Sequence, residues 1–452
     1  ANRADLLRTL LKHFQHQVDN AAASNYCSTP EKRFSNRKHP IASSSSTTTF
    51  HHQASYGQDE DILTKINNHF SSKHCGWNAL HYIAFAGQVE MCKLLTQYFP
   101  QQTLMLLRQQ NSSGWDPFHI ACHRGSLQLV ELFLIYAHDY DLNRRTNDAH
   151  LTFPLQLVIN QNHMNVLHTL INHSAKLISE KRPKRMLLDA NQVDSDGWCA
   201  LHACAYKNRT QMLSVLIHAS NKGVLKEPLD FSCITNDDHW SVLHLCCGNQ
   251  KMLELFLDAS DPHSPPPVDV TNERGQTPLC VAASNGFRAG TQTLLRFGAN
   301  ANHVAVQRHQ TPLHFAAMQG HTEIVSLLLL REGVQLFTMD KKNRTPLYYA
   351  VRNGHDRCVR LFLRIANTMP PHPSKAVQMS STTTSGDELL AMAIENQHED
   401  IVHVVLRYGV YPKTSSFDLC SRLLITSQKK GKKLQNSPLF RIYTLLTEFQ
   451  VF

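Results

Sequence analysis

The chain has 452 residues, too many for one ordinary hydrophobic core, so it must form several domains or one extended repeat array. Its 42% hydrophobic and 18% charged content is that of a folded chain, and the absence of any run of about 18 apolar residues argues against a membrane span. The formal charge of +9 is mild over this length and no groove-reading or base-stacking module accompanies it, so nucleic-acid binding is not expected.

Residues 1–18 place Leu6, Leu7, Leu10 and Leu11 at helical spacing among Arg3, Arg8 and Lys12, a pattern shared by a short surface helix and by the remnant of a transit peptide. From 22 to 55 large apolar residues are few and 43–49 is a run of Ser and Thr, so 1–57 reads as a basic, low-complexity, largely disordered segment. Residues 59–70 have the pattern of a helix that caps the first repeated unit.

That unit recurs along the chain. Thr311-Pro312-Leu313-His314-Phe315-Ala316-Ala317 runs through Gly320-His321 into Glu323-Ile324-Val325 and Leu327-Leu328-Leu329. One period of about 34 residues earlier stands Thr277-Pro278-Leu279 with Ala282-Ala283 and Gly286; one later stands Thr345-Pro346-Leu347 with Ala350 and Gly354-His355. The register extends to Leu80-His81, Phe118-His119, Leu155, Leu201-His202, Leu243-His244 and Leu390, giving about nine units. Thr ahead of Pro supplies a helix N-cap oxygen, and Pro gives up an amide that has no partner in a first turn. Leu313, Ala316 and Ala317 make the apolar face of a first short helix, Gly320-His321 breaks it, and Ile324 to Leu329 make a second. One such pair cannot cover its own apolar face, so copies must stack.

This period and pattern resemble the ankyrin repeat. The resemblance implies an all-α solenoid of about nine helix-turn-helix repeats with hairpin loops, some degenerate and separated by insertions, over 58–412. It also implies that His81, His119, His202, His244 and His314 hydrogen-bond locally and to the adjacent unit. These recurrent histidines lie a whole repeat apart, not at i, i+4 spacing, so no metal site is expected. Cys122, Cys204, Cys246 and Cys247 stand where other units have small alanines and read as core residues. None of the 12 cysteines forms a C-x-x-C pair, and the compartment reads as reducing.

All four tryptophans, Trp77, Trp115, Trp198 and Trp240, lie three residues before the first apolar residue of a unit. In the family that position is on the hairpin turn, beside the concave face on which partners bind; it serves equally to pack hairpin on hairpin. Tryptophan is a frequent interface anchor. The family's other contact positions, after the small buried pair, fall here on Phe85, His123, Arg124, Tyr206, Lys207, Met318, Gln319, Arg352 and Asn353. Several are basic or aromatic and suit an acidic partner protein.

Three stretches interrupt the array: 174–195, which holds Lys181-Arg182-Pro183-Lys184-Arg185; 258–269, with Pro265-Pro266-Pro267; and 370–385, rich in Pro, Ser and Thr. Their composition is that of loops. The unit at Leu243 is about two residues short after Cys247. Beyond Tyr411-Pro412, two apolar-periodic segments, 417–427 and 438–449, flank Lys429-Lys430-Gly431-Lys432-Lys433. Residues 413–452 read as a helical cap; alternatively, Leu419-Cys420-Ser421-Arg422 loosely resembles part of the SOCS box through which ankyrin arrays recruit ubiquitin ligases. Neither a phosphate loop nor a Gly-x-Ser-x-Gly elbow, a His-Glu-x-x-His or a kinase signature set is present, so no enzyme, cofactor or small-molecule substrate is expected. The expected function is that of an interaction scaffold or adaptor in the cytoplasm, or in the nucleus if 181–185 serves as an import signal; a ubiquitin-ligase receptor and a fixed subunit of a larger assembly are the alternatives.

Overall fold

The computed structural model describes residues 76–137, 139–259, 268–368, 386–410, 412–429 and 437–450. The expectations for 1–57 and 59–70, for the triple proline at 265–267, for 370–385 and for the lysine-rich linker after 429 lie outside these residues. Among the described residues there is no strand, only two isolated bridges, Ile234 to Ser241 and Ala305 to Gln310, each closing a turn ahead of a helix pair.

The chain divides into two compact units, up to His173 and from Ser174 on. In the first, α1 (Ala79–Ala86) pairs with α2 (Val89–Tyr98), α4 (Pro117–Arg124) with α5 (Leu127–Tyr136), and α6 (Pro154–Gln161) leads into α7 (Met164–Ser179). A further helix, α3 (Pro100–Arg108), follows α2 where Phe99-Pro100 restarts the chain; the repeat pattern gives no sign of it. The second unit pairs α8 (Ala200–Tyr206) with α9 (Thr210–Asn221), α10 (Val242–Cys246) with α11 (Gln250–Asp258), α12 (Pro278–Asn285) with α13 (Arg288–Arg296), and α14 (Pro312–Gln319) with α15 (Thr322–Leu329). It continues with α16 (Pro346–Arg352) and α17 (Asp356–Thr368), α18 (Gly386–Glu395) and α19 (Glu399–Arg407), and ends in α20 (Thr414–Lys429) and α21 (Pro438–Gln450). Within each unit the first helix of a pair packs on the first helix of the next: α1 on α4 and α4 on α6, then α8 on α10, α10 on α12, α12 on α14 and α14 on α16.

Local chemistry sets these boundaries. The Thr277 hydroxyl accepts the Cys280 amide at 3.4 Å, and the Asn78 side chain accepts the His81 amide at 3.1 Å. The core is the apolar stripe expected: Leu313, Ala316, Ala317, Ile324, Val325 and Leu328 are all at most 1% exposed. Each large aliphatic side chain buried so completely contributes about 1.5–3 kcal/mol. Cys122, Cys204, Cys246 and Cys247 are buried among them, and burial pushes the Cys247 thiol up to about 12.

Two sets of histidines tie neighbouring repeats together. In the first, the Nε2–H groups of His81, His202, His244 and His314 donate to the carbonyls of Trp115, Trp240, Gln276 and Arg344, at 2.8 to 3.1 Å. Because a carbonyl only accepts, the proton sits on Nε2, leaving Nδ1 to accept the N-cap amide, as from Asn78 and Thr311. The second set has no counterpart among the sequence expectations. His163, His321, His355 and His398, in the turns between paired helices, donate from Nε2 to the carbonyls of His123, Ser284, Met318 and Arg352 one repeat back, at 3.0 to 3.1 Å. Their rings lie against the turn glycine of that earlier repeat. A Cβ on Gly320, whose φ is +75°, would come within 2.4 Å of the His355 ring. The glycine is required both by its left-handed backbone and by this close approach.

The insertion at 174–195 is only partly a loop. Helix α7 runs on through Ser179, and Leu187, Leu188 and Ala190 are buried. The Ser174 hydroxyl organises the return, donating to the Val224 carbonyl at 2.7 Å and accepting the Leu188 amide at 3.2 Å. Helix α10 has only five residues, the shortening expected after Cys247, and Asn249 caps α11. At the other end α20 and α21 pack on α18 and α19, burying Cys420, Leu439, Ile442 and Leu446.

Candidate partner-binding surface

The residue immediately before each N-cap occupies a distinctive place. In four repeats its carbonyl, that of Trp115, Trp240, Gln276 or Arg344, accepts a histidine bond from the preceding repeat, so the backbone there is committed to the stack while the side chain is free to vary. Four repeats put Trp there, and others put Gln276, Gln310 and Arg344. All four tryptophans are partly exposed, neither core nor fully solvated.

Three of them reach along the first helix to the side chain eight residues on. Trp77 meets Phe85 at 5.6 Å, Trp115 meets His123 at 5.5 Å and Trp198 meets Tyr206 at 5.2 Å, each edge-to-face. Such pairs contribute about 0.5–1.5 kcal/mol beyond the area they bury. Trp77 also touches Tyr82 at 5.1 Å, the contact of a hydrophobic staple at a helix start. The indole N–H of Trp115 donates to Asp148 at 3.0 Å, which fixes that ring from the following loop. The Trp240 ring meets its own helix histidine, His244, at 5.6 Å; eight residues on stands Gly248, which has no ring to offer.

Cations complete the arrangement. The Arg124 guanidinium lies 4.9 Å over the Phe85 ring of the repeat before it, so that Trp77, Phe85 and Arg124 form a continuous ladder across two repeats. Lys207 lies 5.1 Å over the exposed Tyr206 ring. His123 Nε2 accepts from the Gln161 side-chain amide at 3.1 Å; burial, then Arg124 and His163, lower its pKa, which favours the neutral ring. Such cation–π contacts are worth about 0.5–1 kcal/mol when exposed.

The remaining expected contact residues lie at the same place in later repeats but are not joined in this way. Gln319 and Arg352 are exposed; Met318 is partly covered and its carbonyl accepts from both Asn353 Nδ2, at 2.7 Å, and His355. Asn353 is therefore occupied in holding two repeats together. Residues that sequence reasoning missed are Tyr82, Asp148 and Gln161, and Arg344, which stands at the tryptophan position with its guanidinium 5.0 Å over Tyr348. The eight-residue spacing from Trp to an aromatic or His was the available signal.

One constellation has the composition of a catalytic site and is buried. Asp116 accepts from His119 at 2.8 Å and from the Tyr140 hydroxyl at 2.7 Å, but all three are buried. Burial alone would raise the Asp116 pKa; His119 and Tyr140 outweigh it and hold the carboxyl below its ordinary range. Among the described residues one group, Cys199, His202 and Cys233, gathers metal-ligating atoms within 4.8 Å of one another. Among the same residues no helix is long and apolar enough to cross a membrane.

Comparison with known proteins fits this architecture. A family model described as ankyrin repeats (3 copies) matches residues 50–146, 263–340, 290–372 and 329–416, more than half of the chain. The chain is 27% identical over 238 residues to the E3 ubiquitin-protein ligase KEG of Arabidopsis thaliana, covering 46% of this chain and 14% of that protein. It is 24% identical over 230 residues to the human transient receptor potential cation channel subfamily A member 1, covering 50% of this chain and 18% of that protein. The match thus spans less than a fifth of the length of either curated relative. Among solved structures, the ankyrin repeat domain of Bcl-3 aligns with a TM-score of 0.43 and 19% identity, covering 56% of this chain and 98% of that domain.

Proposed function

The chain belongs to the ankyrin-repeat family, whose repeats are protein-interaction modules, and on that premise we propose that it is a non-enzymatic scaffold or adaptor that docks a partner protein through the tryptophan-bearing first helices of its repeats. The observation that carries this reading is the ladder of Trp77, Phe85 and Arg124, with Trp115–His123 and Trp198–Tyr206–Lys207 repeating its form. Each gives a rigid, partly exposed aromatic body held on one edge by the fold, and the Phe85 and Tyr206 rings carry a cation, Arg124 and Lys207. Rigid rings lose little conformational freedom on binding, which is why such residues dominate interface energetics. In the first unit Arg124, and in the second Lys207 and Arg352, stand at the ends of first helices, so the complementary partner surface is acidic and bears apolar anchors.

Affinity for the native partner tests this. Charge reversal at Arg124→Glu or Lys207→Glu leaves the core untouched and weakens binding at least tenfold, with a steeper loss at low salt; Trp115→Ala and Trp198→Ala weaken it further. Unchanged affinity in folded variants overturns the assignment. The site of action in this proposal is the cytoplasm or nucleus. Residues 181–185 are all exposed, as an import signal must be.

A second reading makes α20 and α21 a docking point for a ubiquitin ligase. It rests on the partial likeness to KEG and on Ile425 and Phe440, which stay 53% and 41% exposed on these helices. Ile425→Asp and Phe440→Asp would abolish ligase association while leaving partner binding on the tryptophan face intact.

A further inference from the structure

Cys199 stands at the N-cap of α8, where the equivalent repeats have Asn78, Asp116, Ser241, Thr277, Thr311 or Thr345. At Asp116, Ser241 and Thr311 the cap sets an oxygen beside its histidine ring, such as the Thr311 hydroxyl at 2.9 Å from His314 Nδ1. Here a sulfur does so, with Cys199 Sγ 3.1 Å from His202 Nδ1. A second sulfur then arrives from the loop one repeat on: Cys233 Sγ lies 3.2 Å from Cys199 Sγ and 4.0 Å from His202 Nδ1. Two soft sulfur donors and one imidazole nitrogen therefore converge, contributed by two adjacent repeats.

We infer that Cys199, His202 and Cys233 form a binding site for a divalent, thiophilic metal ion of the zinc type. Three features support it. The donor set is Cys₂His, the chemistry that selects zinc over harder cations. The spacing is close to that of a tetrahedral site: with Zn–S near 2.3 Å and Zn–N near 2.05 Å, donors stand about 3.8 Å (S to S) and about 3.6 Å (S to N) apart. The observed 3.2, 3.1 and 4.0 Å each differ from these by about 0.6 Å or less, a shift within the reach of side-chain rotation. Finally, His202 Nε2–H donates to the Trp240 carbonyl at 3.1 Å, which fixes the tautomer and leaves Nδ1 as the acceptor beside the two sulfurs; the long bond it now accepts from the Cys199 amide, 3.4 Å, would give way to the metal. A backbone carbonyl in that place is the usual orienting partner of a metal-bound histidine.

Burial sets the route of entry. Cys199 and His202 are closed off, whereas Cys233 is partly exposed, so the metal enters from the loop side and a solvent water completes the tetrahedron. Both thiols give up their protons on binding, so affinity falls as the pH is lowered. Among the described residues no second group of three such ligands comes together. Bound metal would tie the cap of α8 to the loop ahead of α10, joining two repeats where the ordinary histidine link already runs.

The test uses the full chain, purified under a phosphine reductant and titrated first with Zn²⁺ and then with Co²⁺. The expected result is one ion per chain, with the near-ultraviolet thiolate-to-cobalt charge transfer and the strong visible bands of tetrahedral cobalt. Cys233→Ser, on the partly exposed loop, keeps the helical spectrum but loses more than the 10–100-fold in affinity that removing even an outer partner of a metal ligand brings, together with much of the charge-transfer intensity. Cys92→Ala, in the other unit, changes neither. Wild-type protein that shows no thiolate–cobalt band, or a Cys233→Ser variant that binds like wild type, overturns the site. So does recovery of Cys199 and Cys233 as a disulfide in the presence of reductant and metal.

Discussion

Replacing Gly320 with alanine probes the second histidine linkage directly. Its φ of +75° places an L-residue in the left-handed region, at a cost of about 1–2 kcal/mol. The added Cβ would also stand 2.4 Å from His355 Nδ1, so the ring must swing away and its Nε2 bond to the Met318 carbonyl is lost. A net hydrogen bond is worth about 0.5–1.5 kcal/mol, which brings the total to about 2–3 kcal/mol. Gly298 supplies the control. Its φ is +87°, but no atom lies within 4 Å of the position its Cβ would take, so Gly298→Ala carries the backbone cost alone. The urea midpoint should fall for both variants, and further for Gly320→Ala by the equivalent of about 1 kcal/mol. Hydrogen exchange locates the effect: stability in a repeat array is partly local, so amides of α16 and α17 should exchange faster in Gly320→Ala. Equal destabilisation by the two substitutions would refute the claim that the glycine is there for the histidine.

The same contacts make the fold sensitive to pH and to its caps. Burial lowers the imidazoles of His81 and His244 to about 4, below an ordinary value near 6.5. The unfolded chain then binds these protons first, so the stability they hold is complete above about pH 6.5 and is lost as the pH falls toward 4, on the order of 3 kcal/mol for each. Urea midpoints measured between pH 7.5 and 5 should decline before most carboxylates titrate; a flat profile contradicts the neutral-histidine linkage. Thr277→Ala removes the hydroxyl that accepts the Cys280 amide and donates to the Cys280 sulfur, and should cost about 1 kcal/mol in chemical denaturation. Thr311→Ala removes the hydroxyl that meets His314 Nδ1 and should cost about 1 kcal/mol, and Thr311→Ser should restore most of it. Neutralising the exposed Lys181, Arg182, Lys184 and Arg185 should shift a fluorescent fusion out of the nucleus if they form an import signal; an unmoved distribution removes that role.

The helix pairs and their core were readable because each rests on local signals. Thr-Pro before Leu names a helix start, and alternating small and large apolar residues name the two faces. The cysteines at alanine positions were readable for the same reason, since a small buried slot tolerates sulfur. What escaped the sequence depends on the neighbour rather than the segment. His321 and His355 stood out in the sequence only as part of Gly-His breaks, yet they, like His163 and His398, reach back a full repeat to a carbonyl. Spacing along the chain also argued against metal ligands, but stacking brings residues one period apart side by side. Cys199 and Cys233, 34 positions apart, are in contact for that reason. The partner face was half legible. The tryptophan register stood out, whereas the Arg124 contact on Phe85 needs the fold to be seen. Helix α3 and the buried return after Ser179 could not be read from the period at all, because they lie between its copies.

Site-specific photo-crosslinking tests the docking face most directly. A photoreactive amino acid placed in turn at Arg124 and Tyr206, on the first helices, and at Glu131 and Lys251, exposed on the second helices, samples both sides of the repeats in living cells. One protein partner should be captured from Arg124 and Tyr206, with its crosslinked peptide rich in Asp or Glu, and Glu131 and Lys251 should capture none of it. Capture of that partner from Glu131 and Lys251 but not from the first helices would contradict the docking assignment.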